Sequence, residues 1–121
     1  MKRVPIVDDH SLFREVLATV LQQDTHLKQT FQAGSLAEAR QLLRGLDGNI
    51  DLAIIDVELP SGDGAEMIKE LREVDVPVLA LNLGQSLQGR ARAVRAGAAE
   101  VFSTADTGEE IVRAAKRLVG G

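Results

Sequence analysis

Three aspartates end apolar runs: Asp8 and Asp9 follow Val4 to Val7, and Asp56 follows Leu52 to Ile55. Such runs read as strands, and in an open α/β sheet ligands sit in the crevice beyond the carboxyl ends of the strands, at the switch point of strand order. Three carboxylates gathered within about 5 Å would repel by roughly 3 kcal/mol per pair at an effective dielectric of about 20, so they demand a cation or a proton. Oxygen ligands at an open, water-accessible site suit Mg²⁺ far better than Zn²⁺. A hydrated Mg²⁺ beside an aspartate permits one obvious chemistry, attack of the carboxylate on a phosphoryl group while the metal neutralises charge on the transferred oxygens. The plainer use of a strand-end aspartate is to cap the helix that follows. Two adjacent acids with a third on a neighbouring strand favour a site over capping.

The elements that would position these acids follow from periodicity. Apolar residues recur at 13, 16, 17, 20 and 21, a helical spacing, so the chain opens as strand, acidic turn, helix. Leu27 to Ala33 is a weak second strand. Ser35 with Glu38 forms a capping box before a helix carrying Ala39, Leu42, Leu43 and Leu46, which Gly45 and Gly48 end. The run Leu52 to Ile55 is unbroken, as expected when both sheet faces are covered. Leu59 to Gly64 reads as a loop from its turn residues, with Asp63 capping a helix that carries Met67, Ile68, Leu71 and Val74. Pro77 opens a fourth strand, Val78 to Leu83. The next helix, with Leu87, Ala91, Val94 and Ala98 inward, contains Gly89, which at a cost of about 1 kcal/mol against alanine predicts the loosest helix. A short strand, Glu100 to Ser103, precedes a second capping box, Thr107 with Glu110. The final helix buries Ile111, Ala114, Ala115 and Leu118 and stops at Gly120-Gly121. Five strands alternating with five helices predict a doubly wound α/β fold, a parallel sheet with helices on both faces. Pro5 conflicts locally, because it lacks a ladder donor in a strand that is normally internal; either a bulge occurs there or the strand begins at Ile6.

Composition bounds the function. The 121 residues make room for one domain spanning 1–121, and 45% hydrophobic with 26% charged residues is ordinary for a globular chain. Fourteen basic against eighteen acidic residues give a net charge of −4, so neither nucleic acid nor an anionic membrane is attracted globally. No run approaches the roughly 20 apolar residues that cross a bilayer, and the opening residues lead into acids instead of a signal-peptide stretch, which predicts a cytoplasmic protein. The absence of Cys removes thiolate metal sites and nucleophiles, and the absence of Trp and Tyr removes the usual stacking platforms. The two histidines, His10 and His26, lie far apart and make no ligand pattern.

Three segments carry a family resemblance: Ile6-Val7-Asp8-Asp9-His10 with Leu12-Phe13-Arg14-Glu15, then Asp56-Val57-Glu58-Leu59-Pro60 through Gly64, then Ala96-Gly97-Ala98. Together they resemble a response-regulator receiver domain of two-component signalling, over essentially the whole chain, and the first segment is similar to receivers of the LuxR-like DNA-binding regulator group. The resemblance implies a flavodoxin-like strand order 2-1-3-4-5. It further implies that Asp56 is the phosphoacceptor, that Asp9, Asp56 and the backbone carbonyl of Glu58 hold Mg²⁺, and that Asp8 acts through water in the metal shell. The implied partners are a histidine kinase as phosphodonor, docking on the first helix with its exposed Arg14, and a C-terminal DNA-binding output domain absent from this chain. The chain is thus either an excised receiver or a stand-alone one.

Four positions depart from the family pattern. Asn82 and Leu83 stand where a Ser or Thr and a small residue are usual, Val101 replaces the switch aromatic, and Thr104 replaces the lysine that reaches the phosphoryl group. Losing that lysine removes a charge-assisted hydrogen bond of about 1.5–3 kcal/mol, on the order of a ten- to hundredfold penalty on the aspartyl phosphate. Asn82 can still donate from its amide, whereas Leu83 is bulky where the family leaves space. Two readings follow: a phosphoacceptor with a different output route, or an atypical, phosphorylation-independent protein-binding module. A Mg²⁺-dependent phosphohydrolase would need an Asp-x-Asp where Glu58 stands, and a flavodoxin-like carrier would need a hydroxyl-rich phosphate loop. At most the chain would phosphorylate and dephosphorylate its own aspartate. The cations Arg90, Arg92, Arg95, Arg113, Lys116 and Arg117, beside Glu109 and Glu110, read as a solvated face or as a salt-bridged homodimer surface of the fourth helix, fifth strand and fifth helix.

Overall fold

The computed structural model describes residues 2–24, 26–45, 49–59, 64–103, 106 and 108–120. Its elements run β1 (Lys2–Val7), α1 (Ser11–Gln22), β2 (Leu27–Ala33), α2 (Leu36–Gly45), β3 (Ala53–Asp56), α3 (Gly64–Glu73), β4 (Val78–Leu81), α4 (Leu87–Ala96), β5 (Glu100–Phe102) and α5 (Gly108–Leu118). All strand pairs are parallel, in the order β2-β1-β3-β4-β5. The order reverses direction between β1 and β3, which puts the crevice for a ligand at the carboxyl ends of those two strands.

The central strands are buried on both faces because their residues alternate between two cores. Ala53, Ile55, Val78 and Ala80 join Met67, Ile68 and Leu71 of α3 and Ala39 of α2. Ile54, Leu79 and Leu81 face the other way, against Leu17 and Leu21 of α1 and Ile111 and Ala115 of α5. Burial of aliphatic side chains on both sides is worth about 1.5–3 kcal/mol for each fully buried residue, which is why these strands read as unbroken apolar runs.

Pro5 is accommodated by a bulge. Val4 pairs with Gln29 but Ile6 with Gln32, so β2 carries an extra residue opposite the proline, and the ladder to β3 is made by Ile6 and Val7 with Ile54 and Ile55. Ser35 caps α2 as expected, its Oγ accepting from the Glu38 amide at 3.2 Å, while the Glu38 carboxylate accepts from Gly34 instead of the cap residue itself. Gly97, within the Ala96-Gly97-Ala98 segment, closes α4 with φ 103°, a left-handed conformation that glycine adopts without strain.

Several predicted faces shift. In α4 the inward residues are Gly89 and Ala93, while Leu87 and Val94 are 85% and 57% exposed. Small residues let this helix approach the sheet closely, and the larger apolar ones occupy other faces. Gly89 lies in the first turn of α4, not in its interior. In α1 the buried residues are Leu17, Ala18 and Leu21, and Val16 is exposed; Leu42 is exposed in α2. Val74 is also exposed, in the turn after α3. β4 and β5 each end earlier than predicted, at Leu81 and Phe102. Leu46, Gly48, the Asp63 cap, Thr104, the Thr107 cap and Gly121 lie outside the described residues.

Candidate functional site

β1 and β3 deliver the acids side by side. Asp8 follows β1, its amide donating to the Ala33 carbonyl of β2 at 2.9 Å, and Asp56 is the last residue of β3, paired with Leu81 of β4. Both carboxyls are fully buried, whereas Asp9 is partly exposed. Asp8, Asp9, His10 and Asp56 each offer a ligand atom, all within 4.8 Å of one another. His10 is therefore part of the cluster, correcting its reading as a histidine outside any ligand pattern. Its Nδ1 lies 2.9 Å from Asp8 Oδ1, 3.2 Å from Asp9 Oδ1 and 3.4 Å from Asp56 Oδ2. The sequence signal was its adjacency to the acid pair.

Electrostatics follow from this crowding. Burial, with Asp8 adding to it and the Glu58 amide and His10 opposing, pushes the Asp56 carboxyl from an ordinary 3.8 up to about 7. The His10 imidazole is raised, first by its hydrogen bond with Asp8 and also by the charges of Asp8, Asp9 and Asp56, against desolvation. One oxygen of Asp56, Oδ1, accepts from the Glu58 amide at 2.8 Å. The other, Oδ2, and Asp8 Oδ2 are buried with no hydrogen-bond donor among the described residues. Buried carboxylate oxygens left this way cost free energy unless a cation or proton meets them, so the donor set fits a hard divalent ion.

Glu58 also reaches the other way. Its Oε2 accepts from Ser86 Oγ at 3.1 Å, and Ser86, the N-cap of α4, accepts from the Gly89 amide at 2.9 Å. The Asn82 amide donates to the Ser86 carbonyl at 2.8 Å, so the donor expected at a phosphoryl-contact position is engaged with the start of α4. Leu83 is buried with the α1 and α5 core, alongside Phe102 and Ile111. Val101 is half-buried against the α2, α3 and α4 core, and beside it a cleft of about 160 Å³ is lined by Asn82, Leu87, Arg90, Val101, Phe102 and Asp106 among others.

Two surface expectations change. Arg14 is half-buried, and its guanidinium donates to the Asp8 carbonyl at 2.5 Å and to Gln32 Oε1 at 3.2 Å, so it fixes the end of β1 instead of standing free on α1. Lys116 pairs with Asp24 at 3.1 Å and Arg117 with Glu100, so these two cations of α5 are used within the chain.

Among the described residues no helix is long and apolar enough to cross a membrane. Residues 4–116 match the response regulator receiver domain family. The chain is 35% identical to the DNA-binding transcriptional activator DevR/DosR of Mycobacterium tuberculosis over 123 residues, all of this chain and 56% of that protein. It spans about half the length of the curated relatives it matches, from 44% to 58% among four of them. The signal receiver domain of NarL from Mycobacterium tuberculosis superimposes with a TM-score of 0.84 at 28% identity, covering 99% of this chain and 97% of that one. A LuxR-family two-component response regulator from Aurantimonas superimposes with a TM-score of 0.82 at 25% identity, covering 98% and 85% respectively. With the acids at the ends of β1 and β3 and the strand order of the fold, these matches show that the chain belongs to the response regulator receiver domain family.

Proposed function

We propose that Asp56 accepts a phosphoryl group from the phosphohistidine of a histidine kinase or from a small acyl phosphate, and that the chain relays this state to an output domain or a partner protein. Mg²⁺ would be held by Asp8, Asp9, Asp56 and the Glu58 carbonyl, with Asp8 acting through water. The observation that carries the reading is the Asp56 carboxyl itself: fully buried, one oxygen fixed by the Glu58 amide, the other unpartnered and turned toward Asp8, Asp9 and His10.

The ionised Asp56 oxygen attacks phosphorus; the new O–P bond forms as the bond to the donor breaks, and the electron pair leaves on the donor nitrogen or acyl oxygen. Mg²⁺ would supply positive charge that favours the ionised carboxyl and neutralises the transferring oxygens. The Glu58 amide fixes the carboxyl plane throughout. With DNA-binding activators among its relatives, the output is proposed to be transcriptional, and α4, β5 and α5 are the surface proposed for a homodimer.

A second reading, a binding module indifferent to phosphate, is favoured by the readout end: Asn82 is spent on Ser86, Leu83 fills core, and Val101 borders an open cleft. Intact mass after incubation with Mg²⁺ and acetyl phosphate decides between them. A phosphoryl adduct absent from Asp56→Asn supports the phosphoacceptor. No adduct over hours, while a typical receiver is labelled alongside, supports the binding module.

A further inference from the structure

We propose that His10 is a direct side-chain ligand of the cation site beside Asp9 and Asp56, and that its nitrogen makes the site prefer a first-row transition ion over Mg²⁺. The inference rests on the reading above, that this cluster holds a divalent ion at all, and adds which ion and which residue selects it.

The ring's distances to the three carboxylates are those of neighbouring ligands around one centre. In an octahedron with metal–ligand bonds of about 2.1–2.2 Å, neighbouring ligand atoms stand about 3.0–3.1 Å apart and opposite ones about 4.2–4.4 Å. His10 Nδ1 is 2.9, 3.2 and 3.4 Å from one oxygen of each of the three aspartates, and the four ligand atoms all fall within 4.8 Å. The ring is not forced there by packing, since its side chain is 55% exposed. Attraction to the acids holds it, together with the backbone, whose His10 amide donates to Asp8 Oδ1 at 3.0 Å.

The buried Oδ2 atoms of Asp8 and Asp56, which no donor meets among the described residues, point independently to a ligand at this spot. Mg²⁺ takes oxygen donors and keeps its water, whereas imidazole nitrogen raises affinity for transition ions in the order Mn²⁺, Fe²⁺, Co²⁺, Ni²⁺. Three carboxylates alone would give a site for hard ions. One imidazole among them tilts the preference without closing the site, because the open coordination positions remain.

The test is binding of MgCl₂, MnCl₂ and NiCl₂ by calorimetry to the wild-type chain, His10→Ala and His10→Gln, with pulsed EPR of the Mn²⁺-loaded wild type. Directly bound ¹⁴N coupling is expected, with Ni²⁺ affinity falling about tenfold or more in His10→Ala while Mg²⁺ changes less than about threefold. Absence of ¹⁴N coupling overturns the proposal without recourse to any variant. So does an equal change for all three ions, or tighter binding of all three in His10→Ala, which would make the ring a competing cation that the metal displaces. If Mg²⁺ binds and His10 has no effect, only this inference fails; if none of the three ions binds the wild type, the cation-dependent phosphoacceptor reading fails with it.

Discussion

Replacing Gly89 with alanine sets two effects of opposite sign against each other. Helix propensity favours alanine by at most about 1 kcal/mol. Packing opposes it, because a Cβ at this position would lie 2.7 Å from Asn82 Oδ1, 2.8 Å from Ser86 Oγ and 3.0 Å from Glu58 Cδ. None of these ends can yield alone. Asn82 is buried and holds the Ser86 carbonyl, Ser86 Oγ caps the Gly89 amide, and the same Oγ donates to Glu58. Losing an N-cap costs about 0.5–2 kcal/mol, and losing a hydrogen bond to a charged acceptor about 1.5–3 kcal/mol. The methyl displaces part of this set and not all of it, so the net expectation is destabilisation by about 1–3 kcal/mol. In urea titrations the midpoint should fall by roughly 0.5–2 M at an ordinary slope. In a Ser86→Ala background, where one of the two crowded oxygens is gone, the same substitution should cost less. A midpoint that rises in Gly89→Ala would refute the reasoning, since propensity would then have outweighed the contacts.

Three other substitutions test other parts of the structure. Asp56 titrates near 7 when folded against an ordinary 3.8, so between those values the folded chain binds the extra proton; its contribution to stability is whole below about pH 4 and lost as pH rises through about 7. Asp56→Asn should therefore be the more stable chain at pH 8 in chelator, by on the order of 1–4 kcal/mol, with the gap closing toward pH 4; thermal melts at both pH values would show a constant gap if the account is wrong. Gly64→Ala would place a Cβ 2.3 Å from the Asp56 carbonyl oxygen and 2.9 Å from Val57 Cα, backbone that cannot swing aside. It should cost about 2 kcal/mol or more and disturb the Asp56 turn, and an unchanged melting temperature would contradict the close approach. Arg14→Ala removes the guanidinium from the Asp8 carbonyl, and denaturant titration should show a loss of about 1–2 kcal/mol, where a purely solvent-facing arginine would show none.

The fold was legible because its signals are strong and redundant. Ile54 and Ile55 must be covered on opposite faces, which dictates helices on both sides, and the strand-end acids sit at a switch point that the parallel topology creates. What is not legible has separate physical causes. Gly89 and Ala93 pack α4 closely because they are small, yet smallness leaves no mark in a hydrophobic pattern, so the larger Leu87 and Val94 were assigned inward and lie outward. Arg14 looked like a surface charge because sequence does not show that its guanidinium folds back onto the carbonyl of Asp8, six residues earlier. His10 was read by its distance from the other histidine, when the relevant neighbours were the acids on either side of the crevice.

Of the four positions expected to depart from the family pattern, Asn82, Leu83 and Val101 lie among the described residues. Changing Asp8 or Asp56 would alter the charge of a buried group, and a buried site answers such a change in kcal/mol, through desolvation and through the remaining carboxylate. Asn82, Leu83 and Val101 carry no charge: the Asn82 amide nitrogen donates to the Ser86 carbonyl while its Oδ1 is buried with no hydrogen-bond partner among the described residues, Leu83 packs with Phe102 and Ile111, and Val101 packs against the α2, α3 and α4 core. The acid end and α4 remain joined even so, because Glu58 holds Asp56 with its amide and Ser86 with its side chain, and Ser86 caps the Gly89 amide. A hydroxyl and an aromatic at the usual positions are therefore not the sole means by which this fold can connect its carboxylates to α4.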